Sequence, residues 1–168
     1  RGADMRGVDL IQNCEVTGMR IENGRIKGVE TTRGFIGAAK VGVAVAGSSS
    51  RVMSHAGMRL PIESHVLQAF VSEGLKPIIP GVITYGAGHF YVSQSDKGEL
   101  VIGAGTDAYT SYTQRGALHV NSHTLSAVCE LFPAFRRMRM LRNWGGIVDV
   151  TPDRSPIIAK TPVPGLYV

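Results

Sequence analysis

Cysteine, tryptophan and long apolar runs are what this sequence has least of: two cysteines, one tryptophan, and no apolar stretch near the ~20 residues of a membrane span. Cys14 and Cys129 lie far apart and match no metal or redox spacing, which excludes a disulfide scaffold and a thiolate metal centre. Two reduced thiols in a cytoplasmic protein is the plain reading, and no cleavable leader is visible. There is no Gly-x-Ser-x-Gly elbow, so a hydrolase is disfavoured. A Gly-x-Gly-x-x-Gly fingerprint and a phosphate-binding lysine loop are also missing. Excess charge is small: 18 basic against 13 acidic residues, net +5. The densest basic run, Arg136 to Arg142, alternates with methionine and leucine. It reads as a basic strand or subunit contact rather than a nucleic-acid stripe.

What is present is glycine, 21 in 168 residues, enough chain for one core or two small ones. Val16 to Ile21 reads as a strand, and Asn23-Gly24 as a tight hairpin turn, since both residue types tolerate positive φ. Arg25 to Thr32 alternates with period two, with Ile26 and Gly28 on one face. A turn at Arg33-Gly34 leads into Phe35-Ile36, completing a three-stranded meander. Val41 to Gly47 is small and β-branched throughout, the pattern of a strand buried on both faces. Gly47-Ser48-Ser49-Ser50 and a short helix over residues 51–56 follow. Backbone amides at that junction suit an anion, and a serine N-cap explains the serines equally well.

Ser64 to Ser72 reads as a strand with Leu67, Ala69 and Val71 on one face. Pro77 and Pro80 make residues 73–81 a loop. His89–Gln94 and Glu99–Gly103 form a hairpin across Asp96-Lys97-Gly98, with Tyr91 expected near Ile102. Thr106 to Arg115, polar with Tyr109 and Tyr112, reads as a loop. Leu118 to Leu131 reads as a helix with Leu118, Asn121, Leu125, Val128 and Phe132 as its stripe, stopped by Pro133. A strand carrying Met138 and Met140 on one face then leads to Trp144. Trp144-Gly145-Gly146 looks like a strand packed close to something flat, either a bound ring system or a close strand crossing. Thr151 to Arg154 looks like a tight turn, and Pro156-Ile157-Ile158 like the start of another strand.

Tyr85, His89 and Tyr91 form the best substrate-contacting cluster, against a structural role for a hairpin histidine between aromatic neighbours. Lys97, Arg115 and Arg154 can each pair with a carboxylate, or serve as exposed turn or helix-end charges. His119 and His123 stand i, i+4, a zinc spacing, but no glutamate or third ligand accompanies them, so no metal is expected.

Several segments converge on one resemblance. Arg6 to Ile11, Cys14 to Gly18 and Gly28 to Gly34 resemble the middle of FAD-dependent amine oxidoreductases of the D-amino-acid oxidase superfamily. Val43-Ala44-Val45-Ala46-Gly47 resembles the strand ending beside the dinucleotide, and Trp144–Gly146 with Thr151–Ile158 resembles the return to the flavin. Tyr91–Gly103 and Leu141–Asp149 are most similar to the beta subunits of heterotetrameric sarcosine oxidases.

The resemblance implies an α+β / α/β chain: a partial FAD-binding Rossmann-like domain with an antiparallel-sheet substrate domain. Residues 1–60 would be part of the FAD-binding domain, 61–143 the substrate domain of sheet plus helix, and 144–168 the return. It implies FAD contacts at Val16, Ala46, Gly47, Gly145, Gly146 and Ile147, with Tyr85, His89 and Tyr91 on the substrate side. It further implies an FMN at a subunit interface, alpha, gamma and delta subunits as partners, and oxidation of sarcosine to glycine, a one-carbon unit and hydrogen peroxide. Another N-methyl or secondary amine such as dimethylglycine, or a scaffold module with no centre of its own, are the alternatives. The amino-terminal phosphate-binding unit, the FMN-bearing histidine and the second glycine-rich flavin segment of the family are absent. The expectation is therefore an internal fragment that is inactive alone, with neither nucleic acid nor membrane as a partner.

Overall fold

The computed structural model describes residues 1–168. The elements are β1 Val16–Glu22, β2 Arg25–Thr31, β3 Gly34–Gly37, β4 Val41–Gly42, α1 Ser49–Ser54, β5 Glu63–Gly74, β6 Ile83–Tyr85, β7 Phe90–Gln94, β8 Glu99–Thr110, α2 Leu118–Leu131, β9 Met140–Val150 and β10 Leu166–Tyr167. The chain divides into two compact units, Arg1–Pro61 with Asp153–Val168, and Ile62–Pro152. No helix is long and apolar enough to cross a membrane.

In the first unit, β1, β2 and β3 form the antiparallel meander. Asn23 (φ 50°) and Gly24 (φ 72°) both take the left-handed conformation that a two-residue hairpin turn requires. β4 pairs in parallel with β10, Val41 opposite Leu166 and Gly42 opposite Tyr167. A small core of Ile26, Met53 and Leu166 joins these pieces, with Met19, Ile21, Val41 and Val43 packed around it. Three expectations are corrected here. The strand expected over 41–47 is a two-residue ladder, and residues 44–46 are exposed, because the unit covers only one side of this segment. Pro156–Ile158 forms no strand; Ile158 is 88% exposed, and the next pairing is a bridge between Lys160 and Tyr167. Ser48, the residue before α1, makes no side-chain cap bond; instead Ser49 Oγ donates to Ala46 O at 2.6 Å.

The second unit is a five-stranded antiparallel sheet in the order β6-β7-β8-β5-β9. β5 and β9 are paired along their lengths, from Glu63 opposite Val150 to Ser72 opposite Met140. Period-two alternation on β5 buries Ser64, Val66, Gln68, Phe70 and Ser72 and leaves Leu67, Ala69 and Val71 on the other face. Phe70, Val92, Leu100, Ile102 and Ala104 pack against Val120 and Val128 of α2 and Phe135 of the following 3-10 turn, with Met138 and Met140 at the margin. Ser72, fully buried, is satisfied through its Oγ, which accepts from Leu100 N at 2.9 Å.

α2 spans the expected residues, and Pro133 begins the 3-10 turn that ends it. Its buried stripe is Val120, Thr124 and Val128, and Leu118 is 79% exposed. Of the expected stripe, Val128, Leu125 and Phe132 meet the core while Leu118 does not, and Val120 and Thr124 are buried in addition because β-branched residues seat against β8. β8 runs to Thr110, so Tyr109 lies on a strand and only Tyr112 in the loop: β5 is long enough to keep pairing with the polar half of β8, His65 with Thr110. Tyr91 stands opposite Gly103, and Val92, not Tyr91, opposite Ile102.

Candidate functional site

The face of the second unit turned away from α2 is floored by small residues and rimmed by aromatics. One row crosses all five strands: Thr84 on β6, Tyr91 on β7, Gly103 on β8, Ala69 on β5 and Trp144 on β9. Directly opposed residues in antiparallel pairs share a face, so the four side chains of this row stand on one side, with Gly103 as a gap among them. Leu67 lies opposite Gly146 in the neighbouring row. Leu67, Tyr91 and Trp144 are 44%, 41% and 42% exposed, leaving a half-open apolar surface.

Gly103 has no room for a side chain, because a Cβ there would fall within the Tyr91 ring. The tyrosine therefore lies down over β8 instead of standing clear of it. Leu67 and Ala69 of β5 face Thr106 and Gly103 of β8, so β8 fits one extra residue into that interval. Such bulges bend a strand and re-aim its side chains, and they recur beside active sites.

A cavity of about 370 Å³ opens on this surface, lined by Tyr85, His89 and Tyr91 together with Leu67, Gly103 and Thr106. The three residues singled out from the sequence thus meet in one place. Tyr85 and Phe90 close the turn between β6 and β7, with ring centroids 5.6 Å apart. Within that turn His89 donates its N–H to Gly86 O at 3.2 Å and holds φ at 48°. A non-glycine residue in that region is strained, and such strain clusters at functional sites. No carboxylate, lysine or arginine lines the cavity; Lys97, Arg115 and Arg154 are all elsewhere. Its polar groups are phenols, an imidazole and threonine hydroxyls, which bind by hydrogen bonding.

A buried polar network, not anticipated from sequence, braces the strands behind the cavity. Gln68, 1% exposed, accepts from Ala117 N at 2.9 Å through Oε1 and donates through Nε2 to Asp107 Oδ1 at 3.4 Å. Asp107, 3% exposed, also lies 3.3 Å from His119 Nε2. This ties the start of α2 to β5 and β8. His123 does not join it, and no group of three potential metal ligands occurs. Alternation of Gln68 with apolar neighbours was the only sequence signal that the glutamine faces inward.

The paired glycines answer to two different causes. A Cβ on Gly145 would meet Val66 Cγ1 at 2.6 Å and Arg115 O at 3.3 Å, so this glycine is required by close chain packing. Gly145 N donates to Gln114 O at 3.2 Å, which fixes the loop against it. Gly146, on the opposite face, would place a Cβ in open space. Ile147 shares the inner side with its partner Val66.

In the first unit, Val16 begins β1, opposite Thr31. Ala46 holds φ at 43°, a conformation unfavourable for alanine, and Gly47 beside it is buried in the turn that opens α1. A strained small residue followed by a buried glycine lets another group approach the backbone closely. Each feature, this turn and the open surface at Gly146, taken within its own unit, is compatible with close approach of a flat cofactor such as FAD.

Across its whole length, residues 1–168, the chain matches the family described as FAD dependent oxidoreductase, and it belongs to that family. It is 65% identical over 168 residues to the sarcosine oxidase subunit beta of Rhizobium meliloti, and 55% identical to that of Rhodobacter capsulatus. All of the chain is aligned in both cases, against 40% and 41% of those proteins, so it spans about two-fifths of their length. Among solved structures it superposes on an L-proline dehydrogenase from P. horikoshii with a TM-score of 0.87 at 29% identity, covering 98% of this chain and 46% of that one. A glycine oxidase from Bacillus cereus superposes with a TM-score of 0.81 at 21% identity, over 98% and 46% of the two chains, a likeness of fold alone. The mixed α/β arrangement expected from the sequence is that of this family, whereas the β4–β10 pair does not by itself establish the expected partial Rossmann-like domain.

Proposed function

We propose that this chain supplies the substrate-facing sheet and part of the cofactor framework of a flavoprotein that oxidises the N-methyl group of sarcosine. The observation that carries the reading is the convergence of Tyr85, His89 and Tyr91 on one cavity floored by Gly103. In this assignment the first unit belongs to the FAD-binding domain and the second is the substrate domain. Trp144–Pro152 then goes with the substrate side.

FAD, when bound, would supply the hydride acceptor for the N-methyl carbon, and water and oxygen would then account for glycine, a one-carbon unit and hydrogen peroxide. The chain's own residues do the rest. Tyr85 and Tyr91 present phenols that hydrogen-bond a carboxylate without introducing a formal charge. His89, fixed by its turn, is placed to take or hold the proton of the secondary ammonium, because hydride loss needs the neutral amine. Leu67, Trp144 and the glycine floor give a small, flat reactant an apolar surface to lie on. Ala46 and Gly47 suit the ribose–pyrophosphate side of FAD, with Val16 toward its adenine; Gly146 suits the ring, and Gly145 and Ile147 support it from behind. An FMN at a subunit interface and alpha, gamma and delta partner subunits complete the proposed assembly.

The test uses the full-length protein with its partners. Sarcosine-dependent peroxide release is compared for wild type, Tyr85→Phe, Tyr91→Phe and His89→Gln. Turnover should fall at least tenfold in the histidine variant, with a shifted pH profile, and KM should rise in the phenylalanine variants. Wild-type kinetics in all three would overturn the assignment.

A further inference from the structure

The first unit holds a second cavity, also of about 370 Å³, whose walls include Arg25, Lys40 and Lys160 and no acidic residue. These cations are unpaired. The ion pairs of the chain join Arg20 with Glu30, Arg51 with Glu15, His65 with Glu63 and His119 with Asp107. Glu22 stands opposite Arg25 across the β1–β2 turn but makes no ion pair with it. Three like charges that line one concavity repel each other, and an anion bound there offsets that cost.

The walls are preformed. Ile26 N donates to Pro164 O at 3.2 Å, and Val41 N to Gly165 O at 2.9 Å, which fastens the returning loop to β2 and β4. Gly165 holds φ at 88°, and a Cβ there would meet Ala39 O and Ile26 Cγ2 at 2.7 Å, so the loop fits closely. Thr161 Oγ1 donates to Leu166 O at 3.0 Å and closes it from within. A site that is ordered beforehand does not lose affinity to loop ordering.

Its position separates it from the turn at Ala46–Gly47. Lys40 directly precedes β4, and Pro164–Gly165 directly precede β10. The cavity therefore sits at the amino ends of the parallel pair, whereas Ala46 and Gly47 follow the carboxyl end of β4. Dinucleotides bind outside the carboxyl ends of such strands, so the cofactor reading does not account for this basic cluster.

We infer that this cavity binds a small polyvalent oxyanion, of the phosphate-ester or polycarboxylate class, between Arg25, Lys40 and Lys160. The volume lies within the usual range for small-molecule sites, and charge-assisted bonds from three cations supply the recognition. The experiment is calorimetric titration of the full-length, flavin-loaded protein with pyrophosphate and, separately, with citrate, at low ionic strength. One site per chain is expected, weakened about tenfold by each of Arg25→Gln, Lys40→Gln and Lys160→Gln. Arg59→Gln and Arg136→Gln, which remove the same charge elsewhere, should leave it unchanged. Preference for pyrophosphate assigns the phosphate-ester class, and preference for citrate the polycarboxylate class. Failure of both anions to bind, or equal weakening by the two control variants, would overturn the inference. Flavin absorbance recorded in parallel keeps this outcome apart from any loss of cofactor.

Discussion

Replacing each of the two adjacent glycines of β9 by alanine should have opposite consequences. In extended chain, glycine to alanine lowers the entropy of the unfolded state and stabilises by about 0.5–1 kcal/mol when nothing obstructs the new methyl. At Gly146 nothing lies within 4 Å of the added Cβ, so Gly146→Ala should be neutral or stabilising by that amount. At Gly145 the methyl meets Val66 Cγ1 at 2.6 Å and the 114–115 backbone behind it. Overpacking of this kind costs about 1–3 kcal/mol, so Gly145→Ala should be net destabilising by about 1–2 kcal/mol. Urea midpoints on flavin-stripped full-length protein measure both. The holo-protein then separates structure from function: Gly146→Ala should lose flavin content or sarcosine turnover at least tenfold, because the methyl occupies the surface proposed for a flat ring. If Gly146→Ala unfolds as early as Gly145→Ala, the assignment of faces is wrong. If it keeps full flavin and full turnover, nothing lies against that surface, and the cofactor reading of β9 fails.

Three further perturbations test individual contacts. His89→Gly relieves the backbone strain at φ 48° and should hold or raise stability by up to about 1 kcal/mol while lowering turnover; thermal unfolding beside a peroxide assay checks both, and a clear loss of stability would refute it. Gln94 accepts from Ile78 N and Ile79 N and donates to Lys76 O and Gly98 O, so Gln94→Ala should cost about 2–3 kcal/mol by denaturant unfolding and loosen the loop that leads into β6. The Glu99 carboxyl is held below its ordinary value first by the hydrogen bond from Ser95, then by its own backbone amide and by Lys97, against a small opposing effect of burial. A depressed carboxylate stabilises the fold above the ordinary carboxylate range and loses that contribution as pH falls through the folded-state value. Ser95→Ala should therefore raise the Glu99 titration midpoint in an NMR titration and lower stability at neutral pH, with no effect where Glu99 is protonated in both states; an unmoved midpoint would exclude Ser95 as the cause.

Local chemistry was the readable part of the sequence. Asn23-Gly24 and Gly98 announced their turns because few other residues take those φ values, and Pro133 announced the end of α2 because proline cannot continue a helix. Tyr85, His89 and Tyr91 stood out because they lie within seven residues on one hairpin, so a local pattern sufficed to group them. Non-local packing was not readable. The pairing of β5 with β9 joins residues some 70–90 positions apart, and it is what brings Trp144 into line with Ala69 and Tyr91. The buried face of α2 was read in part: Val128, Leu125 and Phe132 do join the core, but Leu118 is exposed and β8 offers its groove to Val120 and Thr124, which the periodicity did not single out. The Gln68–Asp107 network required knowing that three separate segments meet.

The register of one strand decides whether the cavity exists. In β7 and β8, adjacent rows alternate between Val92 with Ile102, which is core, and Tyr91 with Gly103, which is open surface. A slip of one position would place Tyr91 against α2 and turn Val92 outward, because strand side chains alternate with a period of two. What holds the register is largely apolar: Val92, Leu100 and Ile102 are each completely buried, and a slip would expose all three. At roughly 1.5–3 kcal/mol for each such side chain, that cost exceeds any gain from burying one tyrosine. The phenol is therefore presented at the surface by neighbours that never touch a ligand, and Gly103 completes the arrangement by leaving it a place to lie.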